Sequence, residues 1–313
     1  AAATVSETVS TEAADQSAIG TCTDHAGNTA SNTQTGISID KTAPTIADEG
    51  VFSGTMGTND WYTTSVENEF LASDGLSGVV GTNPALISTG SAEGTGITVN
   101  SGDFSDAADN IVAGIDSAPF KIDLSDPTDV EFSSLLSGSY IFGSVPAEPT
   151  CTASDAISGL AGCVVTGYST LVGTHTLTAT ATDNAGRTAT ASTSYTVLAW
   201  TLKGFYQPVD MSGVVNTVKA GSTVPLKFEV FAGSAELTDT GIVSALVKTA
   251  TCTTGLPEDT IEVTATGSTS LRYDAAAGQF IYNWQTPKLP GRCYTVTLTT
   301  LDDSALSALF KLK

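Results

Sequence analysis

The sequence predicts an all-β protein made of tandem β-sandwich domains arranged as an elongated array. Three observations predict it: short segments of alternating apolar and polar residues, no helical period, and motifs that recur about every 80 residues. A repeat of this length is a whole small domain, because solenoid repeats span only about 20 to 50 residues. Short β-branched strands separated by Asn, Asp and Gly turns are typical of sandwiches.

The first recurring motif is a strand–turn–strand segment centred on Asp24, Asp106 and Asp183, which lie 82 and 77 residues apart. In its last copy, the alternating segments 176–182 and 188–197 flank the turn Asp-Asn-Ala-Gly-Arg. Alternating β-branched runs around an Asn/Asp–Gly turn predict a β-hairpin.

Two further motifs order the chain into repeats. A Ser-Asp loop occurs at Asp74 and again 81 residues later at Asp155. Proline-containing segments occur at 39–45 and 122–128. Because proline lacks a backbone donor and stops a sheet, we expect domain joints at these two segments.

The charge is concentrated in the repeats. Residues 1–200 carry 23 acidic and 3 basic side chains, whereas residues 201–313 carry 10 and 9. Such an acidic chain repels phosphate backbones, which excludes nucleic acid as a partner, and no apolar run is long enough to predict membrane insertion. Charge and motifs together predict a partial repeat at 1–43, repeats at 44–126 and 127–198, and a different terminal domain at 199–313.

The repeats resemble the Ig-like repeats of secreted bacterial surface proteins over residues 1–198. The resemblance is carried by Trp61-Tyr62-Thr63-Thr64-Ser65-Val66, the Ser-Asp loop, the Asp-x-Ala-Gly-Asn hairpin and the Ile-Asp-Lys-Thr-Ala-Pro joint. It implies Ig-like β-sandwiches, often with a cysteine pair around the Ser-Asp loop, which Cys151 and Cys163 match. The repeat around Asp74 departs from this pattern, because it has Ala72 and no cysteine.

Residues 204–230 closely resemble the domain named for its Pro-x-Lys-Phe (PxKF) motif, which ends many secreted actinobacterial and related bacterial proteins. The motif reads Pro225-Leu226-Lys227-Phe228 here. The resemblance implies a β-sandwich accessory domain without known chemistry. The residues agree, because apolar positions alternate through the motif and Pro225 suits a strand edge. Further strands are expected at 280–284, 294–298 and 309–312, and the final alternation suggests a native C-terminus.

The five cysteines predict two disulfides. An oxidising compartment favours Cys151–Cys163 within one loop and Cys252–Cys293 within the terminal domain. The sequence contains no Cys-x-x-Cys motif, so no zinc site is predicted. Cys22 remains, either as a free thiol or with a partner in the missing part of the first repeat.

No catalytic motif is found, so we predict that the chain is not an enzyme and has no catalytic residue. The only histidines, His25 and His175, lie in hairpin segments with nothing to assemble them into a catalytic trio.

Calcium is the candidate cofactor, because hard cations take several carboxylate and carbonyl oxygens. Acids of the hairpin turns are expected to meet acids of the joints near the domain ends. The alternative is that each aspartate caps an Asx turn, which also explains Asp74 and Asp155. The candidate ligands are Asp24, Asp40, Asp106, Asp109, Asp123, Asp126 and Asp183.

A second candidate site is a carbohydrate platform formed by Trp61, Tyr62, Tyr282 and Trp284. Exposed aromatic rings bind sugars, but rows of aromatic residues at a spacing of two are also typical of a sandwich core. Both interpretations therefore remain open for these four residues.

Together these features predict a non-catalytic stalk, spacer or adhesion region of a larger secreted bacterial protein. We expect an extracellular or cell-surface location, the rest of the parent chain upstream, and a cell-surface or polysaccharide ligand as the candidate partner. The alternative is a carbohydrate-binding accessory region of an exported hydrolase. An enzyme in its own right is the third and least supported interpretation.

Overall fold

The computed structural model describes residues 5–250, 252, 255–261, 265 and 269–313. Apart from a short 3-10 turn at Thr240–Ile242, every regular element in these ranges is a strand, which confirms the all-β prediction. The chain forms two compact units. The first contains the chain up to Glu131 together with Cys151–Val164 and Thr180–Thr190. The second contains Phe132–Thr150, Val165–Ala179 and Ala191–Lys313.

The chain begins with an antiparallel hairpin of β1 (Ala13–Thr23) and β2 (Thr29–Ile39). Its turn forms as the motif predicts. The Asp24 carboxylate accepts the backbone amides of Ala26 and Asn28, each at 2.8 Å, and Gly27 takes the left-handed conformation at φ +88°. Most side chains of this hairpin are exposed to solvent.

The rest of the first unit is dominated by three three-stranded sheets, ordered β3-β5-β7, β4-β11-β8 and β10-β9-β6. Val66, Phe120 and Ile122 form a core cluster beneath these strands, with Tyr62 packed against it. The strands are β3 (Thr45–Ser53), β4 (Trp61–Tyr62), β5 (Glu67–Ser73), β6 (Val79–Val80), β7 (Ala85–Ser88), β8 (Gly94–Ile97), β9 (Phe104–Asp106), β10 (Ile111–Val112) and β11 (Phe120–Ile122).

The next six strands make a pair, β12-β14, and a four-stranded sheet ordered β13-β17-β16-β15. The predicted hairpin is present as β16 and β17, joined by the Asp183–Arg187 turn. Leu136, Leu177, Tyr195 and Val197 form the core of the part that belongs to the second unit. The strands are β12 (Thr128–Phe132), β13 (Gly138–Ile141), β14 (Cys151–Ser154), β15 (Leu160–Thr166), β16 (Gly173–Asp183) and β17 (Thr188–Leu198).

The last ten strands form two five-stranded sheets that enclose the largest core. One sheet runs β18-β20-β25-β24 with β21 paired to β20, and the other runs β22-β26-β27-β19-β23. The strands are β18 (Thr201–Tyr206), β19 (Val215–Val218), β20 (Thr223–Ala232), β21 (Ala235–Glu236), β22 (Val243–Ala250), β23 (Glu258–Thr260), β24 (Leu271–Asp274), β25 (Gln279–Gln285), β26 (Cys293–Thr300) and β27 (Ala305–Leu312).

The three strands expected at 280–284, 294–298 and 309–312 lie within β25, β26 and β27. The PxKF motif lies in β20, where Leu226 and Phe228 are fully buried. β18 pairs with β20 only from Lys227 onward, so Pro225 faces β25 on one side and needs no amide hydrogen for β18 on the other.

Asp302 is a buried hydrogen-bond acceptor beside this core. It accepts the backbone amide of Trp200, the hydroxyl of Thr300, and both the amide and hydroxyl of Ser304. Burial by itself would raise the pKa of Asp302, but these donors outweigh it and lower the pKa below its ordinary value. The ionised form of Asp302 therefore stabilises the fold.

Both predicted disulfides are present, Cys151–Cys163 and Cys252–Cys293, with Cα atoms 5.7 and 5.2 Å apart. Cys22 is a free, exposed thiol. No helix in the described part of the chain has the length and apolarity needed to cross a membrane.

Candidate cation sites and the repeat joint

Two clusters of three aspartates form in the first unit, and they are built the same way. Each contains one acid from a proline-containing joint, one from a Ser-Asp loop and one from a hairpin turn. Within each cluster, one carboxylate oxygen from every residue lies within 4.8 Å of the others. The first cluster is Asp40, Asp74 and Asp106, and the second is Asp123, Asp155 and Asp183.

In both clusters, backbone amides hold the joint acid and the loop acid in matching ways. The amide of Ser77 donates to Asp40 at 2.9 Å, and the amide of Ser158 donates to Asp123 at 3.2 Å. The loop acids accept the amide of the following Gly78 or Gly159, each at 2.7 Å. The loop acids also accept the amides of Leu76 and Ile157, two residues further on, which are Asx-type turn contacts, so turn formation and clustering occur in the same residues.

The hairpin acid distinguishes the two clusters. In the first, the side-chain amide of Asn110 donates to Oδ2 of Asp106 at 2.7 Å. The initial hairpin has the same bond, from Asn28 to Asp24 at 2.8 Å. In the second cluster Arg187 takes the asparagine position.

Of the groups of Arg187, only the backbone amide donates to Asp183, at its Oδ1 atom. Oδ2 of Asp183 is buried and has no hydrogen-bond partner among the described residues, and the whole residue is 1% exposed. The second cluster therefore contains a buried carboxylate oxygen that the first cluster does not leave unpaired.

The same difference moves the two pKa values in opposite directions. Burial would raise the pKa of Asp106, but the side-chain and backbone donors of Asn110 and the amide of Ala108 lower it overall. Burial raises the pKa of Asp183, and the negative charges of Asp123 and Asp155 raise it further against the backbone donors of the turn. The second cluster thus contains negative charge that its own hydrogen bonds do not balance.

The Asp183–Arg187 turn also contacts the segment 57–63. We call this set of contacts the repeat joint; it is distinct from the proline-containing joints at 39–45 and 122–128. The amide and hydroxyl of Thr58 donate to the carbonyls of Ala185 and Asn184, at 2.9 and 2.8 Å. The side chain of Asn59 donates to the Asn184 carbonyl at 2.9 Å. A Cβ atom at Gly57 would lie 2.2 Å from the Ala185 carbonyl oxygen, so only glycine permits this approach.

Arg187 extends the repeat joint. Its guanidinium donates to the Thr63 carbonyl at 3.1 Å and forms an ion pair with Asp126 at 2.9 Å. Exposure screens this ion pair, since the Asp126 side chain is 57% exposed, so we assign it little stability by itself. The side chain that fails to cap Asp183 is therefore directed at residues of the predicted repeat 44–126.

The predicted calcium ligands divide into two groups. Asp40, Asp106, Asp123 and Asp183 lie in the clusters, so the expected meeting of hairpin and joint acids occurs at two places. Asp24 caps its own exposed turn, Asp109 takes a left-handed turn conformation at φ 66°, and Asp126 pairs with Arg187. These three lie outside both clusters.

Two cluster members, Asp74 and Asp155, are not among the calcium ligands predicted from the sequence, where turn formation also explains their loops. The signal that identifies them is their spacing of 81 residues, which is close to the spacing of the joint acids and of the hairpin acids. Residues that recur with one period in three separate motifs are brought to equivalent places in each repeat.

The aromatic candidates lie mainly in packed cores. Trp61 is 7% exposed and Trp284 is 5% exposed, the latter packed edge-on against Phe310 with ring centroids 4.9 Å apart. Tyr62 and Tyr282 are half-buried against the same cores. This arrangement favours the core interpretation over a sugar platform, because a platform needs exposed ring faces.

No family model matches the chain, and no curated protein matches its sequence. The resemblance to the PxKF domain therefore stays a prediction.

Comparison with solved structures finds tandem extracellular and muscle-type domains of low similarity. A protocadherin gamma-B4 extracellular domain is 11% identical, with 95% of this chain and 58% of that chain covered and a TM-score of 0.25. A three-Ig fragment of titin is 12% identical, with coverages of 87% and 100% and a TM-score of 0.27. A Ca²⁺-stabilized, ice-binding adhesin of an Antarctic bacterium is 16% identical, with coverages of 95% and 80% and a TM-score of 0.25. Because these TM-scores are low, no functional inference is drawn from them.

Proposed function

We propose that the chain is a non-catalytic stalk, spacer or adhesion region of a larger secreted bacterial protein, whose repeats transmit force through built joints. The observation that carries the proposal is the repeat joint. A flexible linker between independent domains has no need for a set of hydrogen bonds to backbone carbonyls between them. Here, the carbonyls of Asn184 and Ala185 accept three hydrogen bonds from the 57–63 loop.

The tie between the last repeat and the terminal strands supports the same function. The Trp200 indole donates to the Phe142 carbonyl at 3.1 Å, and the two rings pack edge to face with centroids 5.3 Å apart. The Trp200 amide is bound by Asp302. A half-buried aromatic anchor immediately before β18 fixes where the terminal strands begin, as a connection that transmits force requires.

The disulfides support an extracellular location. Disulfides persist in oxidising compartments, and a small sandwich gains stability from such cross-links. The carbohydrate-binding alternative has no comparable support, because Trp61 and Trp284 are both buried.

Single-molecule pulling between the two ends of the full chain tests the proposal. We expect separate force peaks, with contour-length increments of roughly 280 Å for a repeat of about 80 residues. Reduction supplies an internal check, because opening Cys151–Cys163 adds about 40 Å to the increment of one repeat, whereas opening Cys252–Cys293 adds about 140 Å to that of the terminal strands. Extension without force peaks would show that the domains bear no load and would contradict the proposal.

A further inference from the structure

We propose that the second cluster, Asp123, Asp155 and Asp183, is a calcium-binding site. Its three carboxylates come from three different segments: the proline-containing joint, the Ser-Asp loop and the β16–β17 turn. The proposal is independent of the stalk function, since it concerns only what these carboxylates bind.

Asp183 has a buried carboxylate oxygen without a hydrogen-bond partner among the described residues. A buried carboxylate oxygen without a donor is costly, and native proteins pair such atoms or place them on a metal. The other two hairpin acids each receive a side-chain amide at this atom, from Asn28 and Asn110. Only at Asp183 is the position left open.

Negative charge is concentrated in the second cluster. Asp123 is 0% exposed and Asp183 is 1% exposed, and their carboxylate oxygens lie within 4.8 Å of each other and of Asp155. The ion pair that Arg187 forms is with Asp126, outside the cluster. Buried like charges at this spacing need a bound cation or a proton, and a divalent cation balances more of the charge than one proton does.

The spacing of the three carboxylates fits a calcium ion. Calcium binds oxygen ligands at about 2.3–2.6 Å, so two ligands on opposite sides of one ion lie about 5 Å apart. The spacing of the cluster is inside this limit. Three carboxylates that already accept backbone donors make a pre-formed oxygen-rich site, to which water adds the remaining ligands.

Calorimetric titration of the full chain with CaCl₂ tests the site, in about 0.15 M monovalent salt so that diffuse binding to the acidic surface is screened. The variants are Asp183→Asn and Asp155→Asn, on two different segments, with Asp106→Asn in the first cluster as the matched control. We expect the chain to lose one calcium equivalent in each of the two test variants, or to bind it at least about tenfold more weakly. The control is expected to retain that equivalent.

Thermal unfolding in chelator and in excess Ca²⁺ provides a second readout on the same proteins. We expect calcium to raise the unfolding midpoint of the wild type and of Asp106→Asn by more than that of Asp183→Asn. A cooperative transition of Asp183→Asn in chelator, with a midpoint at or above that of the wild type, would show that the variant still folds. Unchanged calcium binding in both Asp183→Asn and Asp155→Asn would overturn the proposal, as would a wild-type chain that binds no calcium.

Discussion

Gly57→Ala should open the repeat joint without disturbing the repeats themselves. The added Cβ would lie 2.2 Å from the Ala185 carbonyl oxygen and 2.8 Å from the Thr63 side chain. Real Cβ contacts essentially never fall below 3.0 Å, so the two loops must separate by about 0.8 Å or more. Gly57 does not have a positive φ, so alanine introduces no backbone strain of its own at this position.

The magnitude follows from the bonds that the separation breaks. Both bonds of Thr58 and the side-chain bond of Asn59 cross the joint, and each is worth about 0.5–1.5 kcal/mol. Loss of all three weakens the joint by about 3 kcal/mol, which corresponds to roughly a 100-fold change in its opening equilibrium.

Amide hydrogen exchange at Thr58 measures this opening directly, because that amide donates to Ala185 across the joint. We expect its protection to fall by about 100-fold in Gly57→Ala, with little change in core strands such as β5. Gly75→Ala is the matched control, because Gly75 also lacks a positive φ and a Cβ there meets nothing within 4 Å. Unaltered Thr58 protection in Gly57→Ala would refute the reasoning.

Three further predictions concern stability. Leu226→Ala should cost about 2–5 kcal/mol in denaturant unfolding, because Leu226 is fully buried, whereas Leu289→Ala, at a 52% exposed side chain, should cost under about 0.5 kcal/mol. The raised pKa of Asp183 means that its ionised form lowers the stability of the fold. In chelator, Asp183→Asn should therefore be more stable than wild type at about pH 7. This difference in stability should vanish as the pH falls through the raised pKa. The lowered pKa of Asp302 means that its ionised form adds stability. This added stability is present above the unfolded pKa of about 4 and is lost on further acidification. Asp302→Asn should therefore be less stable than wild type at neutral pH and approach wild-type stability in acid. Melting curves across pH check both, and parallel pH dependence of each variant and wild type would contradict them.

Much of the fold could be predicted from local sequence patterns. The β16–β17 hairpin is predicted by alternating segments around one turn. Both disulfides are predicted by the positions of the cysteines in a chain expected in an oxidising compartment. The strands at the end of the chain follow from apolar alternation, because one face of each must be buried in the sandwich. These features are determined by residues close together in the sequence or by cysteine chemistry. They can therefore be predicted without knowing which distant segments pack together.

The candidate site was only partly predictable, for a physical reason. The expectation that hairpin acids meet joint acids correctly anticipates Asp106 with Asp40 and Asp183 with Asp123 in space. It does not distinguish Asp109 and Asp126, which differ from the cluster members only in the direction that the backbone gives their side chains. The role of Gly57 is invisible in the sequence, because it depends on a carbonyl more than 120 residues away.

The second cluster and the repeat joint depend on one sequence difference between the copies of the hairpin. Asparagine at positions 28 and 110 satisfies the aspartate four residues earlier, and such a turn is complete in itself. The guanidinium of Arg187 instead reaches Asp126 and the Thr63 carbonyl. The presence of arginine instead of asparagine at this position therefore has two consequences. It adds contacts to the predicted repeat 44–126, and it leaves the Asp183 carboxylate without the side-chain donor that a cation would replace. Because the five residues Asp183–Arg187 contribute both to the second cluster and to the repeat joint, calcium binding and the repeat-joint contacts would depend on the same turn.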